Sequence, residues 1–214
     1  MRIGIFGGSF NPVHVGHLIA AECCREQARL DRVVFVPAAI PPHKQGHHLA
    51  DPADRVAMIQ LAIGGQASFS VSTVELDRGG VSFTIDTLAE LAGRHPADEL
   101  LLLLGPDSLA QLPTWREPRQ ILDGWAVVAV EREGLDDVAA VVRSEPLASL
   151  LGPEHAARII ATRVRMPAIG IRASHLRAAV ASSHSIRYRT PRAVEAYIDS
   201  HGLYRATAPE SPTA

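Results

Sequence analysis

The sequence predicts an α/β fold: a Rossmann-like, doubly wound, mainly parallel sheet with helices on both faces. Three observations carry this. Short runs of branched and apolar residues recur at 2–6, 32–37 and 99–104, the character of strands buried on both faces. Stretches of helical period separate them. The first run ends in Gly7-Gly8 and then Asn11-Pro12, residues that turn a backbone sharply just before a helix begins.

The elements follow in order. After the first strand, a helix from about residue 16 places Leu18, Ala21 and Ala28 with their apolar neighbours near one face. The run 32–37 is a second strand, making a βαβ unit with a right-handed crossover. A long loop, 38–50, holds Pro41, Pro42, His43, Lys44, His47 and His48 on the strand-end side, where open α/β sheets bind ligands. Asp51 or Pro52 opens a helix to residue 62, 69–76 reads as a strand, and 84–94 as a helix capped near Ser82 or Thr84. The strand 99–104 ends in Gly105-Pro106-Asp107 before a short helix over 108–112, and another strand, 125–131, ends near Arg132 and Gly134. Residues 136–153 show no clear period and read as a peripheral helix or surface loop, and 157–164 as a late strand. Ser174 opens a helix to about residue 181, and Thr190-Pro191 begins a final helix that ends at His201 with Gly202 as its stop. The expectation is one domain over 1–205 and a disordered tail over 206–214.

Composition narrows the partners. With 47% apolar residues in a chain of 214, a two-sided core is within reach. A formal charge of −2 provides no broad basic surface, so positive charge must gather locally around a small anion, and no nucleic-acid partner is expected. No stretch approaches membrane-spanning length and no charged leader with a cleavable apolar run precedes the first strand. Cys23 and Cys24 are adjacent, a spacing that disfavours a bridge and frames no metal, so a cytoplasmic setting is expected. The oligomeric state, a homo-oligomer included, stays open.

The glycine turn is where chemistry first shows. A helix N-terminus offers unpaired N–H groups and partial positive charge, which stabilise an anion, and Gly7 and Gly8 let a bulky ligand approach the backbone. His14 and His17 add side-chain donors at the same end. The spacing is neither Gly-x-Gly-x-x-Gly nor a glycine loop followed by Lys-Ser/Thr, so plain dehydrogenase and kinase readings lose weight. A His-x-x-His pair can also cap or pack, or be half of a metal site, but its place after a strand and a Gly-Gly turn favours the phosphate reading.

Here the residues resemble a known family. His14-Val15-Gly16-His17 behind Gly7-Gly8-Ser9-Phe10-Asn11-Pro12 is similar to the nucleotidyltransferases with a His-x-Gly-His signature. More narrowly, Pro41-Pro42-His43-Lys44, Ser82-Phe83-Thr84-Ile85-Asp86-Thr87-Leu88, Gly105-Pro106-Asp107-Ser108-Leu109, Trp115 and His201-Gly202-Leu203-Tyr204 resemble bacterial nicotinate-nucleotide adenylyltransferases over nearly the whole chain.

The resemblance implies adenylyl transfer from ATP, with Mg²⁺, to the phosphate of nicotinate mononucleotide, without a covalent intermediate. Nicotinamide mononucleotide or phosphopantetheine as acceptor, or a non-catalytic nucleotide sensor on the same fold, are the alternatives. A phosphate acceptor is already ionised at pH 7, which fits the lack of a carboxylate beside the histidines. His14, His17, Lys44 and Arg177 would be catalytic. Gly7, Gly8, Ser9, Phe10, Gly16 and Ser174 would hold ATP. Phe83, Thr84, Asp107, Trp115, Arg116 and Arg132 would hold the acceptor side, with no protein metal site. Several of these have plainer uses: Lys44 in a solvated loop, Trp115 as an apolar anchor, Asp107 as a helix cap, Ser174 at a surface helix start. The sequence also departs from the family pattern. Ile171-Arg172-Ala173-Ser174-His175-Leu176-Arg177 replaces Ile-Ser-Ser-Thr-x-Ile-Arg, Phe83 stands where Tyr is common, and Arg132-Glu133-Gly134 replaces Arg-Pro-Gly. The role of Arg172 is left open by the sequence.

Overall fold

The computed structural model describes residues 1–40 and 49–205. The 41–48 segment, with Lys44, and the tail 206–214 lie outside the described residues. Six strands form one sheet in the order β3-β2-β1-β4-β5-β6: β1 (Arg2–Gly8), β2 (Arg32–Pro37), β3 (Phe69–Val71), β4 (Glu99–Leu104), β5 (Ala126–Arg132) and β6 (Val164–Met166). Every pairing is parallel. The order reverses between β1 and β4, and such a switch point opens a crevice at the carboxyl ends of the strands.

Alternation along the strands builds two cores. Leu100, Leu102 and Leu104 face one, with Ile3 and Ile5, while Leu101 and Leu103 face the other, with Val33 and Phe35. The first core is covered by α3 (Val74–Arg78), α4 (Thr84–Arg94), α5 (Pro106–Gln111), α6 (Pro118–Gly124), α7 (Val138–Arg143) and α8 (Leu147–Ala161). The second is covered by α1 (Val15–Gln27), α2 (Pro52–Ile63), α9 (Ala173–Ala181) and α10 (Arg192–Ser200). Sheet and cover pack tightly enough that Gly4 has no room for a side chain: a Cβ there would lie 2.7 Å from Leu30 Cδ1 and 2.9 Å from Leu103 Cδ1. Among the described residues no helix is long and apolar enough to cross a membrane.

Three expectations are corrected, and one left open between helix and loop is settled as helix. The strand expected over 69–76 stops at Val71: Ser72 N–H donates to Phe35 O at 2.9 Å, and Thr73 then becomes the N-cap of α3. Ser and Thr favour such ends because their hydroxyls compete for backbone groups. The strand expected over 157–164 is helix as far as Ala161, and β6 begins only at Val164. Helix α8 bends at Gly152 (φ 62°) and Pro153, and that interruption hides its period in the sequence. The stretch 136–153, unassigned between helix and loop, contributes α7 and the start of α8, with Val138, Val142, Leu147 and Leu151 all buried. Helix α4 has Phe83 at its N-cap without a side-chain cap bond, because the Ser82 hydroxyl instead accepts from Ala39 N–H at 3.2 Å.

Candidate active site

Two cavities open at the crevice. The larger, about 530 Å³, is lined by His14, His17, Asp107, Arg132 and Arg172 among others. The smaller, about 260 Å³, is lined by Glu75, Phe83, Thr84, Trp115 and Arg116 among others. Phe6, Gly7, Gly8, Ser9, Gly105, Ser108 and Gln111 line both, so the glycine turn after β1 and the chain after β4 form a common border.

His14 is the N-cap of α1, in an extended conformation that stops the helix and turns its ring into the larger cavity. The His14 N–H donates to His17 Nδ1 at 3.2 Å, and the two rings stack with centroids 3.7 Å apart. That bond needs an unprotonated Nδ1, so a neutral His17 carries its proton on Nε2 and offers it as a donor. Gly16 keeps this arrangement: a Cβ would lie 3.1 Å from His14 Nδ1. His14 is only 7% exposed, and its Nδ1 is buried without a partner. Burial disfavours the imidazolium and pushes the His14 pKa down to about 4, so the ring is neutral at pH 7.

The burial of His14 makes the fold acid-sensitive. Between pH 6.5 and 4 the unfolded chain binds a proton at His14 that the folded chain does not, so acid favours unfolding there. The expected loss is about 2 kcal/mol by pH 5, since each pH unit below 6.5 over which only the unfolded chain is protonated costs about 1.4 kcal/mol. Denaturant unfolding of wild type and His14→Gln at pH 7 and pH 5 checks this. The variant should lose about 2 kcal/mol less than wild type between the two, and equal losses would remove His14 as the cause.

The turn itself is anchored from behind. Phe10 has a left-handed backbone (φ 43°), and its ring is buried edge-on to His17 at 5.1 Å and near Phe6 at 5.6 Å. Its side chain therefore packs beneath the turn, and a Cβ on Gly8 would meet it at 3.1 Å. Gly7 is different, since a Cβ there meets nothing within 4 Å, and its bare face borders the open cleft. Asn11 is 1% exposed; its Oδ1 accepts from Ala50 N–H at 3.0 Å and from the Tyr204 hydroxyl at 2.7 Å. Burial raises the Tyr204 pKa, keeping that hydroxyl a donor.

The other expected residues separate into those that reach the cavities and those that do not. Asp107 lies in the first turn of α5 and lines the larger cavity; Gly105, not Asp107, is the N-cap. Arg132 lines the same cavity but is held by Asp136, with Nε–Oδ2 at 2.6 Å and Nη2–Oδ1 at 2.9 Å. Each partner stabilises the other's charge, raising the Arg132 pKa and lowering that of Asp136. In the smaller cavity Trp115 also packs on the core, so its anchoring and lining roles coincide. Arg116 sits 5.0 Å over the Phe83 ring, with Nη1 3.4 Å from Asp86. Ser174 is exposed and is not among the lining residues, whereas Arg172 and Ala173 just before it are. Arg177 also stands outside the lining: its Nη1 donates to Asn11 O at 2.8 Å, so it supports the turn. Lys44 is outside the described residues.

Three residues not singled out from the sequence shape the site. Arg55 is 1% exposed, with Nη1 donating to Ser9 O (3.1 Å) and Ala38 O (2.7 Å) and Nε to Ala50 O (3.1 Å). Its signal in the sequence is an arginine in register with buried Met58 and Ile59 on α2, since a charged residue on an apolar face implies hydrogen-bond partners. Buried Glu75 accepts from the Thr87 hydroxyl at 2.7 Å, and Arg78 donates to that hydroxyl at 2.9 Å, bracing the start of α4 beside the smaller cavity. Among the described residues no group of three or more His, Cys, Asp or Glu could hold a metal ion.

Known proteins share this plan. A family model described as cytidylyltransferase-like matches residues 5–189. A protein of Thermomicrobium roseum named "Probable nicotinate-nucleotide adenylyltransferase" is 42% identical over 213 residues, covering 99% of this chain and 95% of its own. One of the same name from Roseiflexus sp. is 44% identical over 203 residues, covering 95% and 98%. The structure of Plasmodium falciparum nicotinic acid mononucleotide adenylyltransferase complexed with NaAD superposes with a TM-score of 0.73, covering 95% of this chain and 97% of that one, at 17% identity, and shares the fold. With its sequence matched from end to end at this level, the chain belongs to the cytidylyltransferase-like enzymes and, within them, to the nicotinate-nucleotide adenylyltransferases.

Proposed function

We propose that this chain transfers the adenylyl group of MgATP to the phosphate of nicotinate mononucleotide, releasing pyrophosphate and forming nicotinate adenine dinucleotide for NAD biosynthesis. The observation that carries the reading is the pair of cavities meeting over the glycine turn, one with the two histidines and the other with Trp115 and the start of α4. Two substrates bound there would bring an acceptor phosphate and a triphosphate together above Gly7 and Gly8.

In this reading an acceptor phosphate oxygen attacks the α-phosphorus of ATP in line, the bond to the β-phosphate breaks, and pyrophosphate leaves. The nucleophile is already ionised, so catalysis rests on positioning and on charge stabilisation. His17 Nε2–H and neutral His14 would donate to oxygens whose charge grows, alongside the N–H groups at the start of α1. Ser9 borders both substrates, and Gly7 lets them approach. Mg²⁺ would enter with the nucleotide, as part of the substrate. Lys44 keeps the phosphate contact expected from the sequence, Arg177 acts through the Asn11 carbonyl, and Asp107 accepts from a sugar hydroxyl. On the acceptor side, Trp115 and Phe83 would flank the pyridine ring, and Thr84 N–H and Arg116 would meet its carboxylate. The cytoplasmic setting belongs to the same proposal.

Pyrophosphate release with MgATP and, in turn, nicotinate mononucleotide, nicotinamide mononucleotide and phosphopantetheine tests the reading. Strong preference for the acid is expected. Preference for either other acceptor would overturn the pyridine-site assignment, and tight nucleotide binding without release for any of them would indicate a sensor.

A further inference from the structure

The triphosphate of the proposed nucleotide substrate carries several negative charges into the larger cavity, and the arginines lining the two cavities differ in what is left to meet them. Arg132 is committed to Asp136 through two short bonds, and Arg116 lines the smaller cavity, over the Phe83 ring on the acceptor side. His14 is neutral. Arg172 forms no ion pair or side-chain hydrogen bond with any described residue, and it lines the cavity that holds both histidines. Its backbone is fixed: it is the N-cap of nine-residue α9, and its carbonyl accepts from His175 N–H at 3.0 Å and Leu176 N–H at 3.2 Å.

We propose that Arg172 is a phosphate-binding residue, its guanidinium pairing with the β- and γ-phosphates of the nucleotide and then with the departing pyrophosphate. This rests on the reading that the larger cavity takes ATP. A guanidinium holds its charge at any working pH and presents paired N–H groups to phosphate oxygens, which a hydroxyl at this position cannot do. Arg172 therefore selects the triphosphate over a nucleoside monophosphate, which has no oxygens at that distance from the sugar.

Calorimetric binding of MgATP, magnesium pyrophosphate and AMP to wild type, Arg172→Ser and Arg172→Lys tests this, with KM values for MgATP and nicotinate mononucleotide measured in parallel. Arg172→Ser should weaken MgATP and pyrophosphate about ten- to a hundredfold, the range for a lost charge-assisted bond. AMP affinity, the KM for the acceptor and the melting temperature should hold, because the side chain is exposed and has no protein partner among the described residues. Arg172→Lys should recover part of the loss. Unchanged MgATP affinity in Arg172→Ser overturns the proposal, as does an equal loss for AMP, which would mark general damage. The two readings fail separately: wild type that binds MgATP through Arg172 but serves no acceptor defeats the transfer reaction alone. Turnover on nicotinate mononucleotide with an unaltered MgATP KM in Arg172→Ser defeats this inference alone.

Discussion

Turnover by His17→Ala should fall by about 10²–10³-fold, the effect of losing one preorganised donor to a transition-state oxyanion, or about 3 kcal/mol. The fold should survive. His17 is half-buried in the first turn of α1, where water can replace its Nδ1 as acceptor for the His14 N–H. The ring has two separable duties in the proposed reaction: Nδ1 accepts from the His14 N–H at 3.2 Å, and Nε2 would donate to a phosphate oxygen. His17→Asn divides them: its amide oxygen can accept from the His14 N–H, but it places no donor where Nε2 lies. Equal losses of kcat in the two variants, at wild-type melting temperature, would assign the effect to the Nε2 donor. Recovery of kcat in the asparagine variant would mean that the ring serves only as a brace for His14.

The parts of this arrangement legible in the sequence are those in which local chemistry has a single use. Arg2–Gly8, Arg32–Pro37 and Glu99–Leu104 are apolar without alternation because helices cover both faces, and they are readable as central strands for that reason. The glycine turn and His14 announce a helix start facing an anion, and the structure places them at the β1–β4 switch point. What escapes reading depends on partners. Arg132 looks like a free cation at a strand end until Asp136, in a stretch with no apparent chemistry, closes on it. Arg177, expected at the phosphates, also has its Nη1 on the carbonyl of Asn11, 166 positions away, a contact no local pattern announces. Helix α8 loses its period at Gly152-Pro153, and α3 is too short to show one. A guanidinium's availability is a property of its neighbours in space, so Arg172 can be weighed only once the other arginines are paired.

The other large effect concerns stability. Arg55→Met should cost about 3–5 kcal/mol, because three partly buried carbonyls lose a charged donor at once and each unsatisfied acceptor costs about 1–3 kcal/mol before water or local shifts recover part of it. Methionine fills comparable space on α2 beside Met58 and Ile59, so the loss is one of hydrogen bonding rather than of packing. The three acceptors belong to three segments: Ser9 in the glycine turn, Ala38 after β2, and Ala50 before α2. One planar fork reaches all of them, whereas the point charge of Arg55→Lys cannot, so lysine should restore at most about half of the stability. Denaturant unfolding of the three proteins checks this at a pH above 7, where His14 contributes no acid dependence. A loss under about 1 kcal/mol for Arg55→Met would show that water satisfies these carbonyls. The expected loss would make Arg55 the tie that holds the glycine turn against the end of β2, and the cleft should lose its shape with it.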